Sequence, residues 1–427
     1  MQSIFVYQKV WQFSYMIFKS TIRQVFLIQV LLLASLFTYG QSKDNLSFVH
    51  IDEHARKASS KVENGMSDLA NYLAKPALND FDKARSFYVW LTTNVTYDMQ
   101  AYRNGRRRIN KSNEDILKRK RAVCFGYSKF FKALCDEVGL DSQVISGYSK
   151  GSLTSTPKLE EPDHAWNAVK LEGKWYLLDA TWGAGVVYRK SDFVHEFSDE
   201  YFLTSPEKLI VNHLPADPMW QLLPCAISTK DFKDSPNSLL KKVSDVPQNC
   251  IDYADSLVVF EQLDYHQKML KTAINTHIFN PTQQNAKQLG HAYMDYEAYL
   301  DAKAIKLQES NSIEELMAIQ QKMIQTSEQA KKYTALYDRQ KENLAYTYMN
   351  LAATLSKKLP DFEANQDFYE MINIYEEILP YFEKAKDMLN DLPPSLFIES
   401  ALEQCTTNIE AVKNNLDIYR KELKLND

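Results

Sequence analysis

The sequence predicts an α+β unit followed by an all-α unit. Three observations carry that prediction. Between residues 41 and 228, short stretches of alternating apolar and polar residues lie among helix-period stretches, with glycines at several of the joints. Beyond Ser228 a single glycine, Gly290, remains. In that same region, six long segments place apolar residues at three- and four-residue spacing. The chain of 427 residues suits two or three domains, and an apolar fraction of 45% is enough for a real core.

The expected domains are a signal peptide over 1–40, the α+β unit over 41–228 and the helical unit over 229–427. Val25 to Tyr39 is an apolar run, preceded by Lys19 and Arg23 and followed by Gly40-Gln41-Ser42. That is the layout of a secretory signal, and it is short for a membrane span. Either Met1 or Met16 can serve as the start. The expected location is therefore outside the cytoplasm, periplasmic or secreted; anchoring by an uncleaved segment is the alternative. After cleavage no integral membrane span is expected. The formal charge of −5 becomes −8 once the +3 of residues 1–40 is removed. An acidic chain of this kind does not point to nucleic acid as partner, and Arg106-Arg107-Arg108 reads as a solvated loop. Five cysteines without regular spacing give no disulfide framework. Cys135 lies on the apolar stripe of its helix, and burial is the default for Cys225, Cys250 and Cys405.

In order, Asp52 to Ser60 and Ser67 to Leu73 read as short helices. Phe81 to Thr93 is a stronger one with Asn79-Asp80 as cap, and its Trp90 reads as a packing residue. Ser112-Asn113-Glu114-Asp115 resembles a capping box before Ile116-Leu117. Phe125 to Val138 is a helix stopped by Gly139. Gln143 to Ser149 is a strand, and a Ser-, Pro- and Glu-containing loop runs from Ser152 to Pro162. Ala165 to Leu171 alternates, Glu172-Gly173-Lys174 is a turn, and Trp175 to Leu178 returns, as a hairpin does.

In the second unit the expected helices are Asp255–Ile278, Gln283–Ile305, Ile313–Leu336, Glu342–Lys358, Phe368–Leu389 and Leu396–Leu423. The expected breaks are Asn280-Pro281, Leu359-Pro360 and Pro393-Pro394, and Pro380 predicts a kink or a split. Short links between such helices make a bundle, and its surface is a candidate for a protein partner.

The chemistry sits in the first unit. Arg121-Ala122-Val123-Cys124-Phe125-Gly126-Tyr127-Ser128 places a thiol at a helix N-terminus, where the backbone partial charge favours a thiolate. Asp163-His164-Ala165-Trp166 opens one hairpin strand, and Leu178-Asp179-Ala180-Thr181-Trp182 closes the other. His164 and Asp179 then share one end of the sheet. The candidate catalytic residues are Cys124 as nucleophile, His164 as base and Asp179 as the carboxylate that orients the imidazole. His213 falls in a proline-rich segment with no carboxylate at strand spacing, and His195 reads as a surface residue. No metal-ligand spacing or phosphate loop is present, so no metal or cofactor is called for.

At these residues the chain resembles the transglutaminase-like superfamily of papain-type thiol enzymes, in the branch of kyphoscoliosis peptidase and cytokinesis-type proteins. The resemblance includes Asp82-Lys83-Ala84-Arg85-Ser86-Phe87-Tyr88-Val89-Trp90-Leu91 and Tyr201-Phe202-Leu203, and runs to Leu223. It implies a papain/transglutaminase-like core, in which the helix carrying the cysteine packs on an antiparallel sheet. It also implies that Cys124, His164 and Asp179 form a Cys-His-Asp triad. The implied chemistry is acyl transfer to the thiol from a protein or peptide substrate, most simply ending in hydrolysis. Transglutamination with an amine acceptor, or a non-catalytic interaction module, are the alternatives. The chain departs from the family where Ala122 replaces a usual Gly. Arg106 to Asn110 also lacks the Trp that cross-linking members place ahead of the cysteine helix. The backbone N–H of Cys124 is the one oxyanion donor named.

Overall fold

The structure is a computed structural model, and it describes residues 47–104, 112–151, 156–188, 192–245, 250, 253–308 and 312–426. Residues 1–40, expected as a signal peptide, and Arg106 to Asn110 lie outside the described residues.

The described residues open with α1 (Val49–Arg56), α2 (Met66–Ala74) and α3 (Asp80–Asn94), followed by the short strand β1 (Thr96–Tyr97) and α4 (Met99–Arg103). Then come α5 (Asn113–Arg119), β2 (Arg121–Ala122) and α6 (Cys124–Glu137). The sheet strands β3 (Ser142–Ser149), β4 (His164–Leu171) and β5 (Lys174–Leu178) follow, then α7 (Ala180–Ala184), β6 (Gly185–Val187), β7 (Phe193–His195), α8 (Pro206–Leu209) and β8 (His213–Pro215). The expected caps are in place. Asn79 accepts from the N–H of Asp82 at 2.9 Å, and Ser112 from that of Asp115 at 3.1 Å. The Glu172-Gly173 turn has φ of 47° and 82°, the left-handed pair that a two-residue hairpin requires.

The main sheet has the order β5-β4-β3-β8, and every neighbouring pair is antiparallel. Helix α6 lies on it. Asn167 of β4 donates to the carbonyl of Ser128 at 2.9 Å, and Phe130, Phe131 and Leu134 share a core with Val169, Leu171 and Leu178. Trp90 of α3 stacks on Phe130 at 5.5 Å, which confirms its packing role. Arg85 of α3 holds α1 through two bonds of 2.6 Å to Asp52. Trp166, Ile145, Leu177, Met219 and Trp220 build a separate cluster, and Phe260 from beyond residue 228 completes it.

The remaining helices are α9 (Pro236–Ser244), α10 (Ala254–Glu261), α11 (Tyr265–Phe279), α12 (Gln283–Gln308), α13 (Ile313–Lys331), α14 (Asp338–Ser356), α15 (Leu359–Ala364), α16 (Phe368–Asn390) and α17 (Leu396–Asn426). The segment expected as one helix over 255–278 is two. Asp264 accepts from the N–H of Gln267, whose side chain returns to the N–H of Asp264 at 3.0 Å. That capping box starts a new helix in the middle of the apolar pattern. Leu359-Pro360 marks the expected break, since α14 ends at Ser356, and it also opens the short α15, because proline fits a first helical turn. Helix α16 runs through Pro380 without splitting. Helices α14, α16 and α17 share a second core that includes Leu351, Ile378, Leu389 and Cys405.

The helices nearest the sheet are bonded to it. Glu261 accepts from Lys170 and from Trp175 Nε1, each at 2.8 Å. Asn280 and Asn285 both donate to the hydroxyl of Tyr148 in β3, at 2.7 and 3.1 Å. Among the described residues no helix is long and apolar enough to cross a membrane.

Candidate active site

Cys124 is the first residue of α6 and is 5% exposed. Val123, the cap residue, has extended backbone and no side-chain cap bond. The amides of the first turn are therefore free of a competing side-chain acceptor at the thiol end of the helix. Gly126 lets β2 approach that turn, since a Cβ there would stand 2.9 Å from the Ala122 Cβ.

His164 opens β4 opposite Gly147, and a Cβ on Gly147 would collide with the Trp166 ring at 2.3 Å. The imidazole Nε2 donates to Asp179 Oδ2 at 2.7 Å. The nitrogen left for the thiol is Nδ1, and Cys124 lies near enough to the ring to act on it electrostatically. Burial alone would lower the His164 pKa, but the Asp179 carboxylate and the Cys124 sulfur outweigh it and push it up to about 10. Burial would raise the carboxyl of Asp179, yet the two imidazoles that donate to it hold it well below the usual carboxylate range.

Asp179 divides its work between its two oxygens. Oδ1 caps α7, accepting from the N–H of Thr181 at 2.7 Å and of Trp182 at 3.2 Å. Oδ2 accepts from His164 and also from Nε2 of His213 at 3.0 Å. The two imidazoles behave oppositely on the same oxygen. Burial lowers the His213 pKa, and the charge on His164 lowers it further, against the pull of Asp179. On its other side, His213 Nδ1 faces the side-chain oxygen of Asn212 at 2.5 Å. The ligand-type atoms of His164, Asp179 and His213 lie within 4.8 Å of one another, but each imidazole Nε2 is engaged with the carboxylate. Trp182 covers the group, with ring centroids 5.5 Å from His164 and 4.4 Å from His213. Trp166 closes it at 5.8 and 5.0 Å.

A helix-borne thiol beside an imidazole–carboxylate pair at one end of an antiparallel sheet is the arrangement expected from the sequence. The Transglutaminase-like superfamily matches residues 67–180, a span that contains all three residues. Residues 67–180 form a transglutaminase-like domain. The chain is 35% identical to mouse kyphoscoliosis peptidase over 191 residues, which cover 44% of this chain and 28% of that protein. With the human protein the identity is 34% over 199 residues, 46% of this chain and 30% of the relative. The matched part spans about a third or less of these relatives. A TGase crystal structure overlaps 41% of this chain and 40% of its own at 19% identity, with a TM-score of 0.22.

Within the transglutaminase-like domain, the three residues named from sequence come together. His213 was set aside on sequence and lies in the same cluster. Its partner strand is β3, where Ser149 pairs with His213. That contact spans more than sixty residues, and a three-residue strand ending in proline carries no periodicity that announces it. Trp182 was equally unsignalled. His195 is at the surface as expected, next to the Thr96 hydroxyl at 3.0 Å. The loop before His164 is tied down from the helical side. Asn280 donates to the carbonyl of Leu159 at 2.7 Å, and Thr282 to that of Glu160 at 2.9 Å.

Proposed function

We propose that this protein is a thiol-dependent acyl-transfer enzyme that hydrolyses peptide or amide bonds. The observation that carries the proposal is Cys124 at the N-terminus of α6 within reach of a His164 whose other nitrogen is held by Asp179 at 2.7 Å. In this reading the Cys124 sulfur attacks the substrate carbonyl carbon, and the N–H of Cys124 faces the developing oxyanion. His164 gives its proton to the leaving amine as the C–N bond breaks, and an acyl-thioester remains. Neutral His164 then takes a proton from water, whose oxygen attacks the thioester and releases the acid and the Cys124 thiolate. Asp179 holds the imidazole and stabilises its charged form throughout. The name peptidase on the mouse and human relatives accords with hydrolysis.

The substrate class in this proposal is protein or peptide, and the N-terminal segment directs export. Purified protein treated with a thiol-reactive acyl probe is expected to label at Cys124, and Cys124→Ala to abolish labelling. A folded parent that does not label, or labels equally in Cys124→Ala, would leave the interaction-module reading in its place. Release of the acyl group to added amines faster than to water would make it a transglutaminase.

A further inference from the structure

The five cysteines separate into two kinds. Cys124, Cys135 and Cys405 are buried, whereas Cys225 and Cys250 are half-exposed. The last two are 25 positions apart in sequence and adjacent in space. The Cys250 thiol donates to the carbonyl of Pro224, the residue before Cys225, at 3.6 Å. The Cys250 thiol lies near enough to act electrostatically on that of Cys225. Both are unused by the chemistry proposed above.

We infer that Cys225 and Cys250 are a disulfide site, closed when the protein meets an oxidising thiol–disulfide couple. The step is ordinary exchange. The thiolate of one cysteine attacks a sulfur of a small disulfide such as oxidised glutathione, forming a mixed disulfide and releasing one glutathione thiolate. The second cysteine attacks the mixed disulfide, the Cys225–Cys250 bond forms, and the second glutathione leaves. The oxidant gains two electrons and ends as two thiols, and the protein loses two hydrogens. Burial raises the Cys225 thiol to about 11, with Cys250 adding to the rise. Proximity therefore drives this closure, without an activated thiolate at Cys225.

The loop so closed is structural. It contains Phe232 and Leu239, which are fully buried with Tyr148 and Leu214 of the sheet. It also contains Asp234, whose carbonyl accepts from the buried Lys150 at 2.8 Å. The bond would staple the segment between the sheet and the helices at a point where sequence spacing gave no hint of pairing. An oxidising compartment, as expected for an exported chain, favours the closed form. The inference does not depend on catalysis by Cys124.

The test uses the full chain incubated with oxidised or reduced glutathione, blocked with iodoacetamide and digested without reduction. The expected result is a cross-linked peptide pair containing Cys225 and Cys250, two hydrogen masses lighter than the separate peptides. The oxidised protein is expected to melt several degrees higher than the reduced one. Cys225→Ser with Cys250→Ser should remove both the cross-link and the difference in melting. Full alkylation of both cysteines after oxidation overturns the inference, and so does a product that stops at glutathione on one of them.

Discussion

In the sheet region several buried polar side chains are satisfied by residues far away in sequence, and in the helices beyond residue 312 several are satisfied within their own helix. Asn167 reaches the Ser128 carbonyl, Lys150 reaches Asp234, and Asp179 receives both His164 and His213. In the helices, Thr326 donates to Lys322, Thr347 to Asn343 and Thr354 to Asn350, each to the carbonyl four residues back. A bond of the second kind needs only the helix. A bond of the first kind needs the whole sheet to be correct, and it fixes a side chain against a distant partner. Long-range satisfaction of buried charge is what marks a candidate site.

The largest effect that would break this contrast is at Asp179. Asp179→Asn replaces one acceptor oxygen by an NH2. Whichever way the amide turns, that group faces donors: the amides of Thr181 and Trp182, or two imidazole N–H groups. Probe labelling is expected to fall on the order of ten thousand-fold, by analogy with triads in general. The melting temperature should fall as well, because the cap of α7 and the imidazole share this side chain. Labelling at the parent rate in a folded variant would remove Asp179 from the site.

A smaller effect is expected at His213. His213→Ala deletes one donor to Asp179 and opens a hole between Trp166 and Trp182. Labelling should drop about tenfold, corresponding to about 1.4 kcal/mol for one bond to a charged group. A loss as large as that of His164→Ala would make His213 an equal member of the chemistry.

Asp217 gives the pH counterpart. Burial raises its carboxyl to about 7, against the N–H of Met219, the Asn275 amide and the charge of Lys271. An unfolded aspartate titrates near about 3.9. A raised folded value means stability that is full below the unfolded pKa and lost as pH rises through about 7. The parent should melt lower at pH 8 than at pH 5, and Asp217→Asn should flatten that slope. An unchanged slope in the variant points to another group. The smallest effect belongs to the locally satisfied class. Thr354→Val should change stability by less than about 1 kcal/mol in a denaturant melt, because the carbonyl it leaves is already helical. A loss of several kcal/mol would mean that Thr354 is held by more than its own helix.

The same division explains what the sequence made legible. Cys124 at a helix start, the Glu172-Gly173 turn and the caps at Asn79 and Ser112 are local, and all were readable from neighbours in the chain. The pairing of His164 with Asp179 was readable because one hairpin joins them. His213 and the Cys225–Cys250 pair required knowing how distant segments meet. The split at Asp264 was missed for a different reason. A helical periodicity that continues across a capping residue hides the joint, although the Asp264 and Gln267 spacing was there to be read.

Asn280 sits where three segments converge. It ends α11, donates to Tyr148 of β3 and holds the carbonyl of Leu159 in the loop leading to His164. Local openings of a folded chain occur in cooperative units set by such shared bonds. The loop before His164 therefore belongs to the same opening unit as the end of α11. The backbone amides of Lys158 to Glu161 should exchange with solvent at the rate of that helix end, although α11 lies far along the chain from His164.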